Sequence, residues 1–106
     1  MALLVRPQDF FTMTYGEECQ YSMDISRELG TKTVGNCAYK VFDGTGADVT
    51  GEMGGGISLN GDVFLFGVKA ALMGEHRLEF IITCNEVLPD DVTPYEFYIN
   101  MNVTIT

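Results

Sequence analysis

Basic side chains are scarce in this chain. Six Lys and Arg stand against fifteen Asp and Glu, a formal net charge of −9 with a pI near 4.2. A phosphate backbone or an anionic bilayer repels such a surface, and the few cations are scattered, so neither nucleic acid nor membrane is an expected partner. Histidine is scarcer still: His76 stands alone. Cysteine comes as three separate residues, Cys19, Cys37 and Cys84, with no Cys-x-x-Cys pair, which leaves a four-ligand zinc site short of donors. No Gly-x-Ser-x-Gly, Walker loop or dinucleotide fingerprint is present. A catalytic thiol needs an imidazole beside it, and Cys84, which shares strand parity with His76, lies roughly 26 Å further along the strand. The expectation is a protein that is not an enzyme, with no catalytic, cofactor-binding or metal-binding residues.

Long apolar runs are also missing. Met1-Ala-Leu-Leu-Val-Arg-Pro is too short for a signal peptide and no transmembrane segment follows. A protein made and kept in a cytosol, or packed into a particle there, is expected. Proline is rare at three residues, whereas glycine reaches twelve, a balance that suits many turns between short strands. At 106 residues, 46% hydrophobic and 11% aromatic, the chain is expected to form one globular domain, residues 1–106.

What is present most clearly is alternation. From Phe97 the odd positions read Phe97, Ile99, Met101, Val103 and Ile105, and the even ones are polar apart from Tyr98. A period of two held that long means a strand with one buried face. His76 to Asn85 repeats the pattern, with Leu78, Phe80, Ile82 and Cys84 inward and Arg77, Glu79, Ile81 and Thr83 outward. So does Cys19 to Ile25, where Cys19, Tyr21, Met23 and Ile25 form the apolar set. Thr33 to Asp43 is a further strand with Cys37, Tyr39 and Val41 inward, and Gly35 marks a bulge in it.

The remaining segments are punctuated. Leu3 to Val5 reads as an edge strand that Pro7 ends. Phe10 to Tyr15 places Phe11, Met13 and Tyr15 on the core side and turns Phe10 outward, towards a partner or folded back onto its own sheet edge. Ser26 to Gly30 reads as one helical turn, capped by Ser26 and stopped by Gly30. Asp43 to Asp48 is a turn; its carboxylates with Glu52 also suggest calcium, at a spacing that fits no EF-hand. Gly54-Gly-Gly56 reads as a loop or sheet-switching corner. Asn60-Gly61-Asp62 is a hairpin turn before Val63 to Val68, a strand expected to be covered on both faces. Lys69 to Gly74 reads as a short helical crossover. Glu86 to Pro94 is a long loop between the last two strands. His76, at a strand entrance, is expected to be a half-exposed turn residue.

About seven strands with turn signals every 8–12 residues argue for an all-β, immunoglobulin-like antiparallel sandwich, with a small closed barrel as the alternative. Cys19 and Cys84 would then fall on the two strands that carry the inter-sheet disulfide of such domains, although a reducing compartment favours free thiols. Candidate contact residues are Phe10 and Phe11 on the N-terminal arm, Leu88, Pro89, Val92 and Pro94 on the last loop, and Tyr95 and Tyr98 on the final strand. Tyr98 and Ile81 share a low-charge sheet face suited to docking. Tyr95 with Tyr98 offers an aromatic platform for a carbohydrate or receptor, the rival function.

Two stretches resemble a known family. Glu17-Glu-Cys-Gln-Tyr-Ser-Met-Asp-Ile-Ser-Arg-Glu-Leu-Gly30 and Gly74-Glu-His-Arg-Leu-Glu-Phe-Ile-Ile-Thr-Cys are similar to segments of small immunoglobulin-like virion proteins of tailed bacteriophages, the fibre–tail adaptor proteins. Two features depart from that pattern: Ile25 stands where the family has a Trp, and the Glu86–Pro94 loop replaces a brief turn. The resemblance implies an adaptor or decoration module of the tail, neck or capsid surface, located in the virion and docked to other virion structural proteins. It carries over no catalytic residues. Symmetric particles repeat their parts, so a homo-oligomer or multi-copy assembly is expected.

Overall fold

The strands β7 (Gly74–Val87) and β8 (Pro94–Ile105) lie side by side and antiparallel, with Leu78 opposite Met101, Phe80 opposite Ile99 and Ile82 opposite Phe97. All six face one core, and all but the half-buried Phe97 are closed off from solvent. The computed structural model describes the backbone of residues 3–5 and all of residues 9–106. The expected stop at Pro7 falls outside the described residues. Upstream lie β1 (Leu3–Val5), β2 (Phe10–Met13), β3 (Glu18–Asp24), α1 (Ser26–Leu29), β4 (Val34–Asp43), α2 (Thr50–Met53), β5 (Gly54–Asn60) and β6 (Val63–Lys69).

These strands form two four-stranded sheets, β1-β3-β6-β5 and β2-β8-β7-β4. The first has the A-B-E-D order of an immunoglobulin domain, and β4, β7 and β8 have its C-F-G order. The fold is therefore the expected immunoglobulin-like sandwich, not a closed barrel. The N-terminal segment is divided between the layers: β1 runs parallel to β3 in one sheet and β2 parallel to β8 in the other. The two halves together occupy the place of one edge strand, which reconciles eight segments with about seven strands.

The core is a column of rings linking the layers. Tyr21 stacks on Phe66 at 5.6 Å, Phe66 meets Phe80 edge-on at 4.8 Å, and Tyr39 lies flat on Phe80 at 5.0 Å. The Tyr39 hydroxyl donates to the Gly67 carbonyl across the sandwich at 3.1 Å, so this buried polar tip is satisfied.

Several local expectations are corrected. Lys69 to Gly74 is not helical: the Ala70 N–H donates to the Glu17 carbonyl, and the Ala70 carbonyl accepts from Gly16. Both groups are thereby taken from any helix. Gly54-Gly-Gly56 is the start of β5, not a corner, with a bulge between Gly54 and Ile57. Ser26 does not cap α1; Ile25 holds the cap position, and the Asp24 carboxylate accepts the Ser26 N–H at 2.8 Å. Gly30 does close α1, with φ of 61°. The short α2, which buries Met53, has no counterpart in the sequence reading. Tyr15 lies past the end of β2 and is exposed, not in the core. Only the Phe64 and Phe66 face of β6 is fully covered; Val63 and Leu65 are half-buried on the outer face. The bulge at Gly35 is present between Val34 and Asn36.

Cys19 and Cys84 sit at opposite ends of the sandwich and are free. Cys84 pairs with Val34, at the end where α1 leads from β3 into β4, whereas Cys19 is near the start of β3, opposite Val68. The gap is about six residues of strand, roughly 20 Å, and a disulfide needs Cα atoms within about 7 Å.

Candidate interaction surfaces

His76 is buried, 4% exposed, and is not a half-exposed turn side chain. Its Nδ1 lies 3.0 Å from the Gly74 carbonyl two residues back, which assigns the Nδ1–H tautomer as donor. The strand thus satisfies its own imidazole and can bury it. Asp43 and Asp48 do not converge on a cation. The Asp43 carboxylate accepts from Thr45 N–H, Thr45 hydroxyl and Ala47 N–H, and the Asp48 carboxylate from Thr50 N–H and hydroxyl. Among the described residues no group of three or more His, Cys, Asp or Glu side chains is placed to hold a metal.

The outer face of the β2-β8-β7-β4 sheet is organised in register rows. Ala38, Ile81 and Tyr98 lie side by side across β4, β7 and β8. The next row is Lys40, Glu79 and Asn100, and the one beyond it is Phe42, Arg77, Asn102 and Phe10. Arg77 lies over the Phe42 ring at 4.8 Å and pairs with Glu79 at 3.6 Å. Arg77 and Glu79 thus neutralise each other, Lys40, Glu75 and Glu96 share their face, and Tyr98, at 56% exposure, and Phe10, at 65%, offer apolar surface. The outward turn of Phe10 and the pairing of Ile81 with Tyr98 follow strand parity. Ala38 joins them only through the β4 register that the Gly35 bulge sets, a placement that parity within one strand cannot supply.

Phe11 differs from its neighbour. It points inward, with its ring 4.8 Å from Tyr21, and belongs to the core margin instead of a contact surface. Tyr95 and Tyr98 lie on opposite faces of β8, three positions apart, so they form no common platform. Tyr95 is half-buried, lies 6.1 Å from the Phe97 ring, and has Lys32 over its face at 4.4 Å.

The loop after β7 is a second exposed surface, at the far end from Cys19. The Asp90 carboxylate accepts from Val92 N–H, Thr93 N–H and Thr93 hydroxyl, and Leu88 and Thr93 pair through the backbone. This turn displays Leu88, Pro89, Val92 and Pro94 to solvent, Val92 at 79% exposure. Its base is clamped: the Glu86 carboxylate accepts from Thr33 N–H and hydroxyl, and Asn85 donates to Thr33.

These bonds predict a pH response. Thr hydroxyl donors, then backbone N–H groups, hold Asp43, Asp48 and Asp90 below the ordinary carboxylate value; a backbone N–H is the main cause at Asp24 and Glu86. A lowered carboxyl contributes stability that is present above its unfolded pKa and lost as pH falls through the folded one. Burial pushes the Cys37 thiol up to about 11 and the Tyr21 phenol up to about 12. Their contribution is full below the unfolded values and lost as pH rises through the folded ones. Thermal melts should show a plateau from about pH 5 to about pH 8, with losses below about pH 4 and above about pH 10. An unchanged midpoint at pH 3 would refute the acid limb.

No family model and no curated protein matches the chain. Among solved structures, InlP of Listeria monocytogenes is similar over 99% of this chain, at 15% identity and a TM-score of 0.52, and the chain spans 28% of InlP. Amebosin is similar at 13% identity and a TM-score of 0.46, over 100% of this chain and 99% of that one. The cysteine protease inhibitor EhICP2 of Entamoeba histolytica is similar at 8% identity and a TM-score of 0.48, over 99% and 95%. The likeness to InlP is one of fold alone, and the two weaker superpositions add nothing to it.

Proposed function

We propose that this chain is a non-enzymatic building module that joins protein parts through a sheet face and a loop. The bacteriophage resemblance of Glu17–Gly30 and of the stretch from Gly74 makes its setting the virion, as an adaptor or decoration module of the tail, neck or capsid surface. The observation that carries the reading is the Ala38–Ile81–Tyr98 row. It places contiguous apolar surface on a rigid sheet, next to the paired Arg77 and Glu79, in a chain of net charge −9. Such a patch gains from burial and loses little to desolvation. The rival reading, a carbohydrate- or receptor-binding module, relied on Tyr95 and Tyr98 acting together, and they face opposite ways.

Ile81→Lys tests this. Ile81 is outward and half-buried, so the variant is expected to melt within about 1 kcal/mol of the parent. Its co-purification with assembled particles is expected to fall at least about tenfold, the equivalent of about 1.4 kcal/mol of docking energy. Undiminished co-purification, or no association of the parent chain with particles, would overturn the proposal. Saturable binding to a soluble sugar, lost in Tyr98→Ala, would favour the rival.

A further inference from the structure

We infer that β5 is a self-association edge, along which a second copy of this chain adds antiparallel to Gly54–Asn60 and joins the two β1-β3-β6-β5 sheets into one. The inference does not rest on the virion reading; it follows from which backbone groups are bare and where charge is absent.

β5 ends its sheet, with β6 on one side and, among the described residues, no strand on the other. The two-residue turn at Gly61-Asp62 makes Asn60 and Val63 a hydrogen-bonded pair, and Ser58 follows two residues back. Ile57 and Leu59 therefore direct their N–H and C=O groups away from β6. Among the described residues, neither takes part in a backbone bond to a loop or cap. β4, the neighbouring edge of the other sheet, is treated differently. The Val49 N–H donates to the Val41 carbonyl, the Val41 N–H to the Thr50 hydroxyl, and the Asp43 N–H to the Ala47 carbonyl. The turn and α2 thus cover the upper half of that edge.

Edges left open in monomeric proteins are guarded by lysine, proline, bulges, inward charge or brevity. β5 has a bulge between Gly54 and Ile57, but the regular ladder beyond it, residues 57–60, carries no lysine, proline or charge. Met53 to Gly61 contains no charged residue and no proline in a chain of net charge −9. Beside it, an uncharged groove of about 200 Å³ is lined by Asn36, Cys37, Ile57, Leu59 and Phe64 among others. Leu59, at 44% exposure, stands at its rim.

Charge limits where a second copy can dock. Most of the surface repels a second copy of so acidic a chain. This strip presents amides, the Ser58 hydroxyl and aliphatic carbon, so a second copy meets no like charge along it. An antiparallel strand pair is also self-complementary about a two-fold axis, as a closed dimer requires. Ile57 and Leu59 would each supply donors and acceptors to their counterparts and cover the groove mouths.

Sedimentation velocity over a concentration series tests it on the full chain. The expected result is a monomer–dimer equilibrium that strengthens as salt is raised, because screening removes the repulsion between acidic bodies. Leu59→Lys is expected to weaken dimerisation at least about tenfold with circular dichroism and melting unchanged, since a lysine stem can lie along the rim with its ammonium in water. Leu59→Pro, which removes an N–H on the free side only, should do the same. Ile81→Lys, on the opposite sheet, should leave the dimer intact. A monomer at every concentration and salt would overturn the inference. So would a dimer indifferent to Leu59→Lys, or one lost in Ile81→Lys.

Discussion

Phe80→Ala is expected to destabilise the fold by about 3–5 kcal/mol. Phe80 is fully buried and touches three other rings: Tyr39 at 5.0 Å and nearly coplanar, Phe66 at 4.8 Å edge-on and Phe64 at 6.4 Å. Tyr39 belongs to its own sheet, whereas Phe64 and Phe66 belong to the other, so this side chain is where the layers meet. Truncation removes burial of a large apolar group and leaves a void walled by rings on strands that cannot close over it. A small domain has about 5–15 kcal/mol in total, so the loss is a large share. At about 4–8 °C per kcal/mol for a domain near this size, the melting midpoint falls far enough to read without ambiguity. Urea unfolding with an unchanged slope would assign the effect to the native state. Phe80→Leu, which keeps most of the volume, should lose much less. A loss below about 1 kcal/mol for the alanine variant would mean that the column is not what joins the sheets.

Where a strand meets the core with one face and water with the other, residue type follows position, and the fold was legible. That is why β3, β7 and β8, the Gly35 bulge and the Asn60-Gly61 turn agree with the sequence reading. Expectations failed where a tertiary partner decided the outcome. Ala70-Ala-Leu-Met73 has the composition of a helix, but Gly16 and Glu17, distant in sequence, take the backbone groups of Ala70. His76 has the inward parity of Leu78 and Cys84, but nothing in the sequence reveals that the Gly74 carbonyl will satisfy Nδ1 and let the imidazole be buried. The division of the N-terminal segment between two sheets was invisible for a related reason: alternation says which side of a strand is buried, not which sheet it joins. For the candidate contact residues, parity gives the face and not the role. It separates Phe10 from Phe11, and applied to Tyr95 and Tyr98 it would have shown that three positions along a strand reverse the face.

Gly55→Ala is expected to cost about 1–3 kcal/mol, although Gly55 is exposed and its φ is not in the left-handed region. The cause is space. A Cβ at Gly55 would lie 2.8 Å from the Gly67 Cα and 2.9 Å from its carbonyl carbon. Both are backbone atoms of the neighbouring strand and cannot rotate away. The Gly54-Gly-Gly56 run, read from sequence as a loop or sheet-switching corner, thus owes its second glycine to close approach of β5 and β6. Its third serves a different purpose, since Gly56 has a φ of 94° with open space around it, and there an alanine pays in backbone strain instead. Displacing Gly67 also reaches the core, because its carbonyl accepts the Tyr39 hydroxyl at 3.1 Å. Tyr39→Phe alone should cost about 0.5–1.5 kcal/mol. Combined with Gly55→Ala it should cost less than the sum, because the first change has already strained the bond that the second deletes. Strict additivity in urea unfolding would show that β6 absorbs the added methyl without moving the Gly67 carbonyl. A neutral Gly55→Ala would show that the two strands can separate freely at this bulge.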